Sequence, residues 1–111
     1  MIHNMKLWDD SFKVIKDGSK TIEMRLNDEK RSLIKVDDII IFENTKNKEI
    51  IKCVVINIYK YSNFEELYKY HDKISIGYKE NEIANPQDMF KYYSQDNIDK
   101  YGVIGIEIKL I

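Results

Sequence analysis

Apolar and polar positions alternate with a period of two in some stretches of the chain and follow a helical period in others. Met1 to Leu7 reads as a short entry strand. Trp8, Phe12 and Ile15 then recur at helical spacing and predict a short amphipathic helix. Asp9 or Asp10 is placed to cap its start, and Gly18 stands where a helix end favours a left-handed residue. From Thr21 to Leu26 the period returns to two: Ile22, Met24 and Leu26 share one face, and Thr21, Glu23 and Arg25 share the other. If the apolar face enters a core, the opposite face aligns a hydroxyl, a carboxylate and a guanidinium. Asn27 or Asp28 is a candidate cap for a helical turn through Glu29 to Leu33.

The run Ile39-Ile40-Ile41-Phe42 within Asp38 to Glu43 is rich in β-branched residues, as buried strands are. Asn44 to Lys48 reads as a turn and Glu49 to Tyr61 as a second long strand, which together predict a hairpin. Asn63 is placed to cap a helix to His71, with Glu66 three residues on and Phe64, Leu67 and Tyr68 on its inner face. Lys73 to Ala84 follows no period. Pro86 opens a broken helical segment containing Met89, Phe90 and Tyr93 that runs to Tyr101. Val103 to Ile111 alternates as a closing strand, with Ile104, Ile106, Ile108 and Leu110 on one face. Strands punctuated by short helices predict an α+β fold: a mixed, partly closed β-barrel with flanking short helices, in one domain over 1–111.

Composition narrows the function classes. With 111 residues, 43% hydrophobic and 33% charged, the chain suits a folded domain with one core. Eighteen Lys and Arg against 19 Asp and Glu give a net charge of −1, which argues against a non-specific polyanion binder. Any nucleic-acid contact is expected in a cleft rather than across the surface. Cys53 is the lone cysteine, set in an apolar run, and reads as a reduced strand residue. No apolar stretch has the length of a membrane span and the start shows no signal-peptide pattern, so the expected location is cytoplasmic, with no membrane partner. His3 and His71 lie far apart without a cysteine cluster, so neither a metal nor another cofactor is expected.

The densest candidate chemistry lies in Gly18-Ser19-Lys20-Thr21-Ile22-Glu23-Met24-Arg25, where a helix ends and a strand begins. A lysine there can hold an anion as the ammonium or, because its pKa falls readily on burial, serve as a base once neutral. A guanidinium can fork onto phosphate or stack on a base, and a carboxylate can accept from an amino group or orient the lysine. The competing reading is a solvated face of surface ion pairs, which is common for such charge runs.

Gly18-x-Lys20-Thr21-Ile22-Glu23-x-Arg25 resembles the G-x-K-x-x-E-x-R signature of ASCH domains, relatives of the PUA-type RNA-binding barrels. Further stretches are similar to a bacterial stand-alone branch: His3-x-Met5-x-Leu7, Asp28-Glu29-Lys30-Arg31, Asp38-x-Ile40-x-Phe42, Ser62-x-Phe64-x-x-Leu67, Tyr92-Tyr93-Ser94 and the ending Tyr101-Gly102-Val103-x-Gly105-Ile106. The resemblance implies a barrel with a cleft lined by the motif residues, and a partner that is RNA or a nucleoside-like small molecule. One enzymatic branch of the family hydrolyses N4-acetylcytidine with a Lys and a Thr of this motif and a Glu from a later segment. Lys20 matches that Lys, but Glu23 stands at the Thr position, and the hydroxyl needed for acyl transfer is missing there.

The resemblance therefore implies a binding module in which Lys20 and Arg25 neutralise phosphate, Glu23 reads an amino-bearing edge and Tyr93 stacks. The alternative is a metal-independent hydrolase of a modified nucleoside or RNA, with Lys20 as base and Glu23 as proton shuttle. Some relatives have been proposed to cleave RNA, and Lys20, Tyr93 and Ser94 form a loose acid–base set for such chemistry. His3 is a candidate cleft residue or, equally, an exposed or capped strand histidine; His71 reads as a surface helix residue. Asp28 and Arg31 are expected to pair at the cleft rim, with direct ligand contact as the alternative. Of Tyr92 and Tyr93, one is expected to pack in the core. Spacing does not decide between a monomer and a weak dimer.

Overall fold

The computed structural model describes all 111 residues. Five strands form one sheet: β1 (Ile2–Leu7), β2 (Ile22–Leu26), β3 (Ile39–Asn44), β4 (Ile50–Tyr61) and β5 (Val103–Leu110). They lie in the order β1-β3-β4-β5-β2, with β1 parallel to β3 and every other pairing antiparallel. Helices α1 (Asp9–Lys16), α2 (Phe64–Tyr70) and α3 (Gln95–Tyr101) flank the sheet, with 3-10 turns at Arg31–Leu33 and Pro86–Lys91. This is the expected mixed α+β half-barrel.

The period-two register of β2 divides the core in two. In an antiparallel pair, opposed residues share a face. Glu23 and Arg25 oppose Ile106 and Ile104, whereas Met24 and Leu26 oppose Gly105 and Val103. Ile104 and Ile106 belong to a first cluster with Phe12, Ile15, Ile40 and Phe42, covered by α1. Ile22, Met24, Leu26 and Val103 belong to a second with Phe64, Leu67, Met89 and Ile98, under α2, α3 and the Pro86 turn. β5 is thus buried on both faces over Val103–Ile106, where only one apolar face was expected. Gly105 lets β5 pack closely here, because a Cβ there would lie 3.2 Å from Ile22, tight enough to displace that side chain, and 3.6 Å from Leu67.

β1 and β2 are the two edges of the sheet. The Arg25 guanidinium on β2 donates to the Lys6 carbonyl on β1 at 2.9 Å, so a side chain bridges a seam that no backbone ladder closes. That bond also occupies an edge carbonyl that would otherwise be an open pairing site.

Local signals account for the helices. Asn63 accepts from the Glu66 amide and Asn85 from the Gln87 amide, each satisfying an orphan donor at the start of a turn. Gly18 has φ +89, the left-handed conformation expected after α1. The N-cap of α1 is Trp8 rather than an aspartate, and its indole is exposed instead of joining Phe12 and Ile15 inside. Asp9 sits one residue too late to cap. It instead accepts from Asn44 at 2.9 Å and pairs with Lys13 at 3.0 Å. Asp28 accepts from the Arg31 amide, as expected of a turn cap. Cys53 is fully buried and unpaired in β4, and its thiol is pushed up to about 11 by burial. No helix is long and apolar enough to cross a membrane.

Candidate functional site

A cleft of about 380 Å3 opens at the seam between the edge strands and wraps around the free edge of β2. One wall comes from the end of β1 and the start of α1: Lys6, Leu7, Trp8, Asp10 and Ser11. The floor carries Lys20, Glu23 and Arg25. The opposite wall is built by the segment after α2, including Gly77, Tyr78, Asp88, Met89, Tyr92 and Tyr93.

The floor is a buried ion triad. Glu23 is 3% exposed and Lys20 6%. Lys20 Nζ lies 2.8 Å from Glu23 Oε1, and Arg25 donates through Nε to Glu23 Oε2 at 2.8 Å, with Nη2 forming an ion pair with the same oxygen at 2.8 Å. Burial alone would raise the Glu23 pKa, but the two cations and their hydrogen bonds outweigh it and bring the carboxyl down to about 2. Burial also works against the Arg25 charge, and Glu23 more than compensates, so the guanidinium is held above its ordinary value. The solvated-face reading of this charge run is therefore excluded.

Backbone geometry fixes Lys20. Its amide donates to Val14 O at the end of α1, and the next two amides both donate to Ser75 O. Gly77, at φ +112, lies against the lysine stem: a Cβ there would stand 3.1 Å from Lys20 Cδ. The stretch that showed no sequence period thus forms a strap over the motif lysine. Lys73 holds the strap by donating to the carbonyls of Glu80 and Glu82, each at 2.7 Å.

The opposite wall hangs from the Pro86 turn. The amides of Tyr92 and Tyr93 both donate to Met89 O. Tyr93 is half-buried and stacks on Phe64, with centroids 5.9 Å apart. Burial raises its phenol pKa, partly offset by Arg25. Tyr92 is 56% exposed. Both tyrosines line the cleft, and Tyr93 is the one of the pair that also packs against the core, on the second cluster.

Of the other sequence candidates, Asp28 and Arg31 pair at 3.3 Å without lining the cleft, so they flank it as a structural pair. His3 is not a cleft residue. The parallel β1–β3 register buries it beside Asp38, which it meets at 2.8 Å. Asp38 also accepts from the Lys35 amide, and these contacts hold its carboxyl below the ordinary range. Ser94 is the N-cap of α3 and accepts from the Asn97 amide at 3.2 Å, so the Lys20–Tyr93–Ser94 set does not assemble in the cleft. His71 lies just past α2, half-buried, 2.8 Å from the Tyr61 hydroxyl. Sequence reasoning missed Trp8, Tyr78 and Asp88. Trp8 was absorbed into the helical stripe although Asp9-Asp10 after it mark a helix start; Tyr78 and Asp88 meet only through loop geometry.

The sequence profile of the ASCH domain matches residues 5–111. The chain belongs to the ASCH domain family. This PUA-like family is associated with RNA binding. Among solved structures, the hypothetical protein PH0355 is 35% identical, with a TM-score of 0.85 over 100% of both chains. Protein PF0455 from the archaeon Pyrococcus furiosus is 31% identical, with a TM-score of 0.75 over 100% of this chain and 98% of its own. ASCH from Zymomonas mobilis shares the fold at 17% identity and a TM-score of 0.70, covering 97% of this chain and 66% of its own. The likeness therefore reaches beyond a bacterial branch. No curated protein matches the chain.

Proposed function

We propose that this ASCH domain holds a nucleoside, either free or as an unstacked base of single-stranded RNA, in the seam cleft. The observation that carries the reading is the pairing of a buried Lys20–Glu23–Arg25 floor with aromatic walls from Trp8, Tyr92 and Tyr93. Clefts of ~300–1,000 Å3 suit small ligands, and this one lies at the low end. Its lining carries four basic residues (Lys6, Lys20, Arg25, Lys91) and four acidic ones (Asp10, Glu23, Glu82, Asp88), so it is not a polyanion groove.

On this reading the motif residues take roles set by their pairing. Glu23 has one oxygen committed to each cation and is not free to read a ligand edge. The triad carries one net positive charge, so Lys20 and Arg25 act as hydrogen-bond donors to ligand oxygens more than as phosphate neutralisers. Stacking then supplies most of the affinity, at ~1–3 kcal/mol per base, and the salt dependence is shallow.

Trp8 offers the direct test because it is the only tryptophan and is 68% exposed. Titration with cytidine, adenosine, uridine and short single-stranded RNAs is expected to quench its fluorescence. Trp8→Ala is expected to weaken binding, followed by calorimetry, about 10- to 100-fold while leaving the fold intact. Binding that ignores both Trp8→Ala and Tyr92→Ala removes the cleft from consideration. Chromatography of the same mixtures separates holding from hydrolysis: conversion lost in Lys20→Met establishes the hydrolase instead.

A further inference from the structure

The far wall of the cleft carries a second polar device, independent of the triad. Tyr68 from α2 and Tyr78 from the strap meet edge to face, with their hydroxyls 2.9 Å apart. The Tyr78 hydroxyl lies 2.7 Å from Asp88 Oδ2. A phenol has one hydrogen, and the shortest contact, to a carboxylate, takes it. Tyr78 therefore donates to Asp88 and accepts from Tyr68, giving a one-way chain from Tyr68 through Tyr78 to Asp88. Three separate segments supply its members, and all three residues line the cleft. Asn85 caps the turn that bears Asp88, so its backbone is fixed as well.

This chain leaves one acceptor uncommitted. Asp88 Oδ2 takes the Tyr78 proton, while Asp88 Oδ1 has no partner within the protein. Glu23, by contrast, has both oxygens engaged. The cleft thus presents donors on its floor, from Lys20 and Arg25, and a pre-oriented anionic acceptor on its far wall. An acceptor so placed rewards a ligand with a hydrogen to give and penalises one that offers a second lone pair.

We infer that Asp88, oriented by the Tyr68–Tyr78 chain, is the specificity-determining residue of the cleft and selects nucleobases bearing an exocyclic amino group over their carbonyl counterparts. This rests on the nucleoside-binding reading above. Tyr68 and Tyr78 are positioning residues; of the three, Asp88 alone touches the ligand.

The pairs cytidine against uridine and adenosine against inosine isolate the amino group, because each pair exchanges amino for carbonyl on one ring. Wild type is expected to favour the amino member about tenfold or more, the worth of a hydrogen bond to a charged group. Asp88→Asn keeps a carbonyl for Tyr78 and puts an NH2 at the second position, so the preference is expected to fall to parity or reverse. Tyr78→Phe frees the carboxylate to turn and is expected to weaken the amino ligands alone, without reversal. Thermal melts establish that both variants are folded. Trinucleotides carrying the same bases distinguish a free nucleoside from a base in RNA. Equal binding within each pair, or a preference that Asp88→Asn leaves unchanged, overturns the inference while sparing the binding function. No binding of any nucleoside or trinucleotide by wild type overturns the binding function and this selectivity with it.

Discussion

Replacing Glu23 with Gln keeps the shape of the triad and removes its only anion. Lys20 and Arg25 are then left facing each other in a buried site without a counter-charge. Two routes give the size of the effect. Breaking a buried ion pair by removing one partner costs ~3–5 kcal/mol. Independently, the fall of the Glu23 pKa from 4.5 to about 2 corresponds to about 3 kcal/mol of stabilisation of the charged form. The sign follows from proton uptake. A carboxyl with a depressed folded-state pKa stabilises fully above its unfolded value, and the benefit disappears as pH falls through the folded value. Urea denaturation at neutral pH is therefore expected to place Glu23→Gln about 3 kcal/mol below wild type, a midpoint shift of about 1–3 M for ordinary urea slopes. The gap is expected to close between pH 4.5 and about 2. Asp38 also titrates in acid, but it is present in both proteins and cancels in the difference. A variant as stable as wild type at neutral pH, or a gap constant down to the acid limit, would refute the buried triad.

Two further outcomes follow from the geometry around this site. Gly77→Ala introduces a Cβ 3.1 Å from Lys20 Cδ on a backbone at φ +112, so thermal melts are expected to show a loss of ~1–3 kcal/mol; no loss would mean that the strap does not press on the lysine. Cys53 is buried with its thiol pushed up to about 11, so an aromatic disulfide reagent near neutral pH is expected to label it only in denaturant, and rapid labelling of the native protein would contradict its place in the core.

The parts of this fold legible in the sequence are those with a period or a paired local signal. The alternation of Ile22, Met24 and Leu26 fixed the face of Glu23 and Arg25 because burying one face of a strand leaves no freedom for the other. Asn63 was readable as the start of a helix because a cap and the amide it satisfies lie within a few residues, and Pro86 marked the start of the next turn. The strap was not readable. Its anchors are two amides on Ser75 O and a lysine on two carbonyls, and backbone acceptors carry no residue identity. His3 stayed ambiguous for a related reason: Asp38 reaches it only through a parallel register between strands far apart in the chain. Trp8 shows the opposite error, in which a spacing that fits a helical stripe placed an exposed indole inside.

Position 23 joins the fold to the chemistry available in the cleft. One Glu23 oxygen holds Lys20 beneath the strap; the other holds Arg25, whose guanidinium ties the two sheet edges together at Lys6. A carboxylate engaged on both sides is a poor nucleophile, because attack on an acyl group would draw its charge away from two buried cations that depend on it. Lys20 meets the same obstacle as a base. To accept a proton from a ligand the amine must first be neutral, which leaves Glu23 with one cation in place of two, inside a site where a missing partner costs ~3–5 kcal/mol. Holding a ligand requires neither change. The remaining ammonium hydrogens and the Arg25 Nη1 group can donate to it while the seam stays latched. The same contacts that latch the seam therefore support the proposed holding role and count against the alternative of hydrolysis.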